Sequence, residues 1–164
     1  MNKPFCIALT AAFVVSGSAA AQQGLPTEKV LPMQLALEAA AAALEACQKQ
    51  GHRVSAAVVD RAGVVRVILR GDGAGPHTAD GSARKAYTAA TFRIPTTFLV
   101  EFANREPSGE ALRHLDRALL FGGGLPIDAG REIVGGIAVG GAPGGQLDDA
   151  CAQAGLDKIK DRLE

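Results

Sequence analysis

Apolar positions along the chain change period several times, and each change marks an element. Across residues 32–50 the sequence is alanine-rich, and Met33, Leu37, Ala40, Leu44 and Cys47 step by four and three, which is helical spacing. Pro32 at its first turn and Gly51 just past its end suit the two ends of a helix. Its polar side carries Gln34, Glu38, Glu45 and Lys49. Residues 54–60 and 64–70 are β-branched runs joined by Arg61-Ala62-Gly63, hairpin spacing with glycine where positive φ is needed. Gly71 to His77 is too glycine-rich for a regular element, and Thr78 or Asp80 then caps a helix over residues 82–92, which Pro95 stops. Residues 96–104 and 108–119 predict two further short helices, each opened by a hydroxyl after a proline, with Phe98 and Phe102 four apart on one face. Leu125-Pro126-Ile127 and residues 132–139 predict a second hairpin across Asp128-Ala129-Gly130. Residues 146–154 and 156–163 close the chain as helix broken at Gly155, with Leu147, Ala150, Cys151 and Ala154 on its apolar face.

The order is helix, hairpin, helices, hairpin, helix. It segregates helices from an antiparallel sheet and predicts an α+β fold, with N- and C-terminal helices packed on the sheet and a helical insert between the hairpins. Ahead of it, Lys3 precedes an apolar run over residues 5–15, and Ser16-Gly17-Ser18 leads to Ala19-Ala20-Ala21 before Gln22. This is the pattern of a secretory signal peptide. The run falls short of the ~20 apolar residues of a membrane helix. The expected organisation is a signal peptide over residues 1–21, a leader over 22–31 and one domain over 32–164, in a periplasmic or secreted protein.

The 164 residues hold 17 basic and 17 acidic side chains with no run of either sign, so the electrostatic footprint of nucleic-acid binding is missing. Cys47 and Cys151 remain after the signal peptide, each on an apolar helical face. In an oxidising compartment two such thiols tend to close into a disulfide; the alternative is two buried free thiols packing as small hydrophobes. No Cys-x-x-Cys and no histidine pair at ligand spacing marks a metal site.

Three glycine clusters stand out. Gly71-Asp72-Gly73-Ala74-Gly75 invites a phosphate-loop reading, but lacks the Gly-Lys-Ser/Thr ending and follows a hairpin strand. Gly122-Gly123-Gly124 precedes a strand, and Gly135-Gly136, Gly140-Gly141 and Gly144-Gly145 surround another. Glycine inside a strand marks close approach of a ligand or of another element. Val58-Val59-Asp60-x-x-Gly63, Arg70-Gly71-Asp72-Gly73-Ala74, Arg84-Lys85-Ala86-x-Thr88-Ala89, Gly123-Gly124-Leu125-Pro126-Ile127, Val134-Gly135-Gly136-Ile137-x-Val139 and Cys151-Ala152-x-Ala154-Gly155 occur in that order. Together they resemble the GlcG/HbpS family of haem-binding proteins, related to the C-terminal domain of PduO, from about Met33 to Ile159. The resemblance implies a profilin-like α+β layer, homo-oligomers built through the sheet and glycine-rich edges, and haem as cofactor.

A haem site needs an axial ligand, an apolar slot and cations near the propionates. Of the three histidines, His52 opens a strand and His114 sits among charges, whereas His77 stands in the glycine-rich stretch. His77 is the candidate iron ligand, the alternative being an ordinary loop histidine. Thr78 is the fallback, because the resemblance implies that some members place a hydroxyl on the iron. Arg84, Lys85 and Arg93 are candidate propionate partners, an arginine fork matching a carboxylate well, against the bland reading of a solvated face. Tyr87, Phe92, Phe98 and Phe102 are candidates to wall a macrocycle, or plain core. Asp60 at a strand end ties down its own turn. The competing functions are a small periplasmic enzyme or metabolite-binding protein taking a small organic acid in a glycine-lined cleft near His77 and Arg84, and an interaction module whose glycine strands are oligomer contacts.

Overall fold

The computed structural model describes Leu25 and residues 27–163; the segment read as a signal peptide lies outside the described residues. The elements run α1 (Met33–Lys49), β1 (Ser55–Asp60), β2 (Val65–Arg70), α2 (Pro76–Phe92), α3 (Thr96–Arg105), a 3-10 segment (Pro107–His114), β3 (Gly124–Asp128), β4 (Ile133–Gly140), α4 (Gly145–Ile159) and a terminal 3-10 turn (Lys160–Arg162). The strands form one antiparallel sheet in the order β2-β1-β4-β3. Each hairpin supplies an edge and an inner strand, and the inner strands pair from Ser55↔Gly140 to Asp60↔Gly135. This is the α+β architecture that the order of elements predicts.

Strand alternation sends Ala56 and Val58 of β1 and Ile137 and Val139 of β4 to one face, where α1 and α4 cover them. Val59 and Ala138 point to the other face, against Ala86 and Ala90 of α2. The two inner strands are therefore apolar on both sides, and side chains as fully buried as Val58 and Ile137 each contribute roughly 1.5–3 kcal/mol relative to exposure. Gly136 sets the depth of the second layer. A Cβ there would run into the Ala86 carbonyl oxygen, so α2 lies almost on the strand backbone. Gly135 and Gly136 thus serve packing within one chain, and β4 is an inner strand and no sheet edge.

Several expectations are corrected. α2 begins at Pro76 with Gly75 as its extended N-cap, so His77 and Thr78 lie in its first turn and not in a loop, and neither Thr78 nor Asp80 is the cap. The buried stripe of α1 is Leu35, Ala36, Ala39, Ala40, Ala43 and Cys47, while Met33 and Leu37 are exposed. On α4 the buried positions are Asp148, Cys151, Ala152, Gly155 and Ile159, and Leu147 and Ala150 face outward. Gly155 does not break α4: it is the point where α4 meets α1. The helix expected over residues 108–119 is only the 3-10 segment, followed by irregular chain. Thr96 does not cap α3; its hydroxyl accepts the Gly124 N–H at 2.9 Å and ties down the start of β3.

Cys47 and Cys151 are joined across α1 and α4, with Cα atoms 5.5 Å apart. Asp60 Oδ1 accepts the Ala62 and Val64 N–H groups, each at 3.0 Å, and so closes its own turn. The described part of the leader lies along the β3–β4 turn, where Lys29 Nζ donates to the Ala129 carbonyl at 3.0 Å.

Candidate functional site

One face of α2 and the far end of β4 enclose a cleft of about 380 Å³. His77, Gly81 and Lys85 stand one above the other on the helix at i, i+4 and i+8. Gly140, Gly141 and Ala142 form the opposite side, Leu119 and Phe121 come from the chain leading into β3, and Asp148 reaches in from α4. Leu119, Phe121, Ala142 and the three glycines make the walls largely apolar. Its volume lies in the lower part of the ~300–1,000 Å³ range of ligand sites.

His77 is exposed at the mouth. Its ring is laid back over Gly75, where a Cβ would stand 2.6 Å from Cε1 and 2.9 Å from Nδ1; the N-cap glycine is what gives the imidazole this position. Thr78 is buried beneath it. Its hydroxyl donates to the Gly75 carbonyl at 2.7 Å, which leaves the Ser55 hydroxyl, 2.7 Å away, as donor to Thr78 Oγ1. Thr78 therefore pins the first turn of α2 to β1, with its hydroxyl engaged on both sides.

At the back of the cleft, Lys85 and Asp148 are 2% and 1% exposed. Lys85 Nζ donates to Asp148 Oδ2 at 2.8 Å and to the Gly122 carbonyl at 2.7 Å, and lies 5.4 Å from the centroid of the Phe121 ring. The second oxygen of Asp148 accepts the Ala142 N–H at 3.1 Å. Burial pulls the Lys85 ammonium below the ordinary lysine range against the opposing pull of Asp148, and pushes the Asp148 carboxyl up against the opposing effects of Lys85 and the Ala142 N–H. The Gly122-Gly123-Gly124 cluster is built around this pair. Gly122 supplies the carbonyl, the Gly123 N–H donates to Asp149 Oδ1 at 2.7 Å, and Gly123 has φ +115°, where a Cβ would also run into Lys85 Nζ.

The structure brings His77, Thr78 and Lys85 to one cleft and places Arg84 and Tyr87 elsewhere. Arg84 donates to the Arg117 and Ala118 carbonyls at 3.4 and 3.0 Å. The Tyr87 ring lies 4.2 Å from the Arg117 guanidinium carbon, with Gly63 so close beneath that a Cβ would be 2.5 Å away. Together with Asp80 they border a separate depression of about 400 Å³ on the other side of α2 and brace residues 117–118 against that helix. Lys85 is not on a solvated face, contrary to the local pattern. Phe98 and Phe102 are 59% and 41% exposed on α3 and wall no cleft. Phe92 packs against the cluster of Leu99, Ala103, Ala118 and Leu120, Arg93 is exposed past the end of α2, His114 is exposed, and His52 follows α1.

Asp148 and Phe121 are among the cleft residues that escaped sequence reasoning. Asp148 carries a signal in retrospect: it falls on the same i, i+3, i+4, i+7 stripe as Cys151, Ala152 and Gly155, where a lone carboxylate must find a partner. Phe121 stands in an aperiodic stretch and has no such signal. Among the described residues no group of three or more histidine, cysteine, aspartate or glutamate side chains is placed to hold a metal ion.

Fold and cleft together define a small three-layer α+β domain with a ligand-sized, largely apolar cleft bearing an imidazole at its mouth and an ion pair at its back. The chain belongs to the family described as haem degrading protein HbpS-like, whose model matches residues 31–157. It is similar to the crystal structure of a double mutant of Streptomyces reticuli HbpS, at 40% identity and TM-score 0.75 over 93% of this chain and 97% of that one. The crystal structure of a PduOC–haem complex aligns at TM-score 0.73 over 80% of this chain and 96% of that one, and at 24% identity this is a likeness of fold. An uncharacterized 15.0 kDa protein from the dhaT-dhaS intergenic region of Citrobacter freundii is 33% identical over 102 residues, 61% of this chain and 71% of that protein.

Proposed function

We propose that this chain binds haem in the cleft between α2 and the Gly140–Ala142 turn, with His77 as the iron ligand. The observation that carries the reading is the imidazole at the open mouth of an apolar cleft, held over Gly75 by the start of α2. The residues present fit the group in kind: a nitrogen ligand, apolar walls, and glycines whose bare backbone lets a flat ring approach. The cleft measures about 380 Å³, and His77, its apolar walls and Lys85 are the residues that would hold the group. Haem supplies iron and its redox chemistry when bound; the chain supplies the ligand, the dry wall and the polar anchors.

The biological role in this reading is sequestration, carriage or sensing of haem outside the cytoplasm, and PduOC in its haem complex lends the fold precedent. Export is supported by the apolar run and small-residue pattern of residues 5–21 and by the disulfide, which suits an oxidising compartment. No described helix is long and apolar enough to cross a membrane. A homo-oligomer is part of the reading, and light scattering of the purified chain tests it. The small-acid alternative finds less support, since among the described residues Lys85 is the one lysine or arginine lining the cleft and it already carries Asp148 as partner.

The test is an absorbance titration of the purified chain with haem, with His77→Ala and His114→Ala alongside. The reading expects saturable binding and a Soret shift that His77→Ala weakens and His114→Ala leaves intact. Binding unaffected by either change moves the ligand away from both of these histidines. Linear uptake by the wild type overturns the reading.

A further inference from the structure

Lys85 is buried and hydrogen-bonded on two sides at the back of the cleft. An ammonium has three N–H donors, and the described residues take two of them, at Asp148 Oδ2 and the Gly122 carbonyl. The remaining one has no acceptor among the described residues, on a side chain that lines the cleft. The surroundings keep that position open. A Cβ at Gly140 would stand 3.7 Å from Lys85 Cε and 3.5 Å from the Thr78 carbonyl oxygen, so glycine leaves the floor beside the ammonium bare. Gly123, at φ +115°, leaves room for Nζ from the other side. Asp148 is itself fixed by the Ala142 N–H at the cleft wall. Three elements far apart in sequence thus converge to hold one donor beside an apolar slot.

We propose that the Lys85–Asp148 pair is the polar anchor of the cleft: Lys85 Nζ donates its third N–H to a carboxylate of the bound ligand, and Asp148, with the Gly122 carbonyl, is the positioning residue that aims it. This rests on the haem reading, in which the carboxylate is a propionate. A free small carboxylic acid offers the same chemistry. Because Asp148 already balances the ammonium, the anchor supplies a directed hydrogen bond and little net positive charge. It therefore suits a ligand whose affinity comes mainly from apolar surface, and a small anion that lives on charge gains little. The half-exposed Phe121 ring lies over Nζ and gives the ammonium a further, apolar neighbour at the cleft wall.

The experiment compares haem with haem dimethyl ester, which keeps the iron and the macrocycle and removes the carboxylates, and adds butyrate as a free acid followed by calorimetry. The variants are Asp148→Asn and the double change Lys85→Met with Asp148→Asn, which leaves no unpaired buried charge; thermal melting confirms that each is folded. The wild type should prefer haem over its ester by about tenfold or more, the scale of one hydrogen bond to a charged group. The double variant should bind the two about equally. Asp148→Asn, which loosens Lys85 but leaves it charged, should retain part of the preference. A preference that survives in the double variant, or is absent from the wild type, overturns the anchor while leaving haem binding intact. Saturable butyrate binding lost in the double variant, with no saturable haem uptake by the wild type, overturns the haem reading and keeps the anchor. No saturable binding of any of the three overturns both.

Discussion

Gly155 of α4 lies directly on Ala39 of α1: a Cβ at Gly155 would stand 2.5 Å from the Ala39 carbonyl oxygen, 2.7 Å from Ile137 Cδ1 and 3.0 Å from Ala43 Cβ. The nearest of these is backbone, which cannot swing aside. Alanine is the better helix former by about 1 kcal/mol, yet overpacking costs typically 1–3 kcal/mol. Gly155→Ala should therefore destabilise the domain by about 1–2 kcal/mol in urea unfolding. A gain in stability would show that α1 and α4 are not in this contact.

The disulfide lies a few residues from that crossing and closes a separation of 104 residues between fully buried cysteines. A loop of that length corresponds to about 4–5 kcal/mol in the chain-entropy account, and removal of native bridges typically costs 2–5 kcal/mol. Replacing both cysteines with alanine should lower the unfolding free energy by that amount, and reductant added to the wild type should reproduce most of the loss. If the double replacement matches the oxidised wild type, the bridge contributes nothing.

The sheet was legible from the sequence because its signals are local. β-branched runs, Gly63 at a positive-φ turn and the Pro/Gly-rich breaks place both hairpins within a residue or two. The face of α1 was not legible. Where nearly every position is alanine, periodicity barely separates two faces, and the large residues Met33 and Leu37 suggested the wrong one. Small residues won because α4 approaches so closely at Gly155. In the cleft, His77 was legible as a lone histidine among glycines, though its place in a helix depends on Pro76 at the first turn. The burial of Lys85 was not, since its partner lies 63 residues away and the neighbouring pattern of Arg84, Lys85 and Tyr87 reads as a solvated surface.

Lys85 and Asp148 are 3% and 2% exposed as side chains, so removing only one of them leaves a charge stranded. Breaking such a pair from one side typically costs about 3–5 kcal/mol, whereas replacing both by neutral groups is often neutral or stabilising. Lys85→Met should fall in the costly range, and adding Asp148→Asn should restore most of the loss, because asparagine still accepts the Ala142 N–H. Denaturant unfolding of the single and double variants checks this. Equal stability of the two would mean that water reaches the pair.

The same pair gives stability a pH signature. Burial is the leading cause of both shifts, raising the Asp148 carboxyl and lowering the Lys85 ammonium. A raised carboxyl favours the folded state at low pH, and that contribution is lost as pH rises from the ordinary aspartate value, about 4, through the folded one. A lowered ammonium contributes in the opposite sense, gaining as pH rises through its folded value toward the ordinary lysine value of about 10. Measured against the Lys85→Met, Asp148→Asn variant, the wild type should therefore be least favoured near neutrality and improve toward both extremes. A difference that stays flat with pH, or peaks in favour of the wild type at neutrality, contradicts this.

Gly75 offers a way to move His77 without touching it. The glycine is an extended N-cap with φ −60° and ψ 144°, a conformation that alanine adopts without strain, and alanine at an N-cap costs at most about 1 kcal/mol relative to glycine. The added Cβ would nevertheless occupy the space now filled by the His77 ring, 2.6 Å from Cε1, and an exposed side chain on a free rotamer gives way by swinging off. Gly75→Ala should thus fold nearly as well as the wild type while displacing the imidazole from the cleft mouth. If His77 ligates the iron, the Soret position and haem affinity should change toward those of His77→Ala, with the far-ultraviolet dichroism unaltered. If Gly75→Ala leaves the haem spectrum untouched while His77→Ala abolishes it, the imidazole reaches the iron from another rotamer and the ring position over Gly75 is not the binding one. If neither change alters the spectrum, the ligand is a different residue.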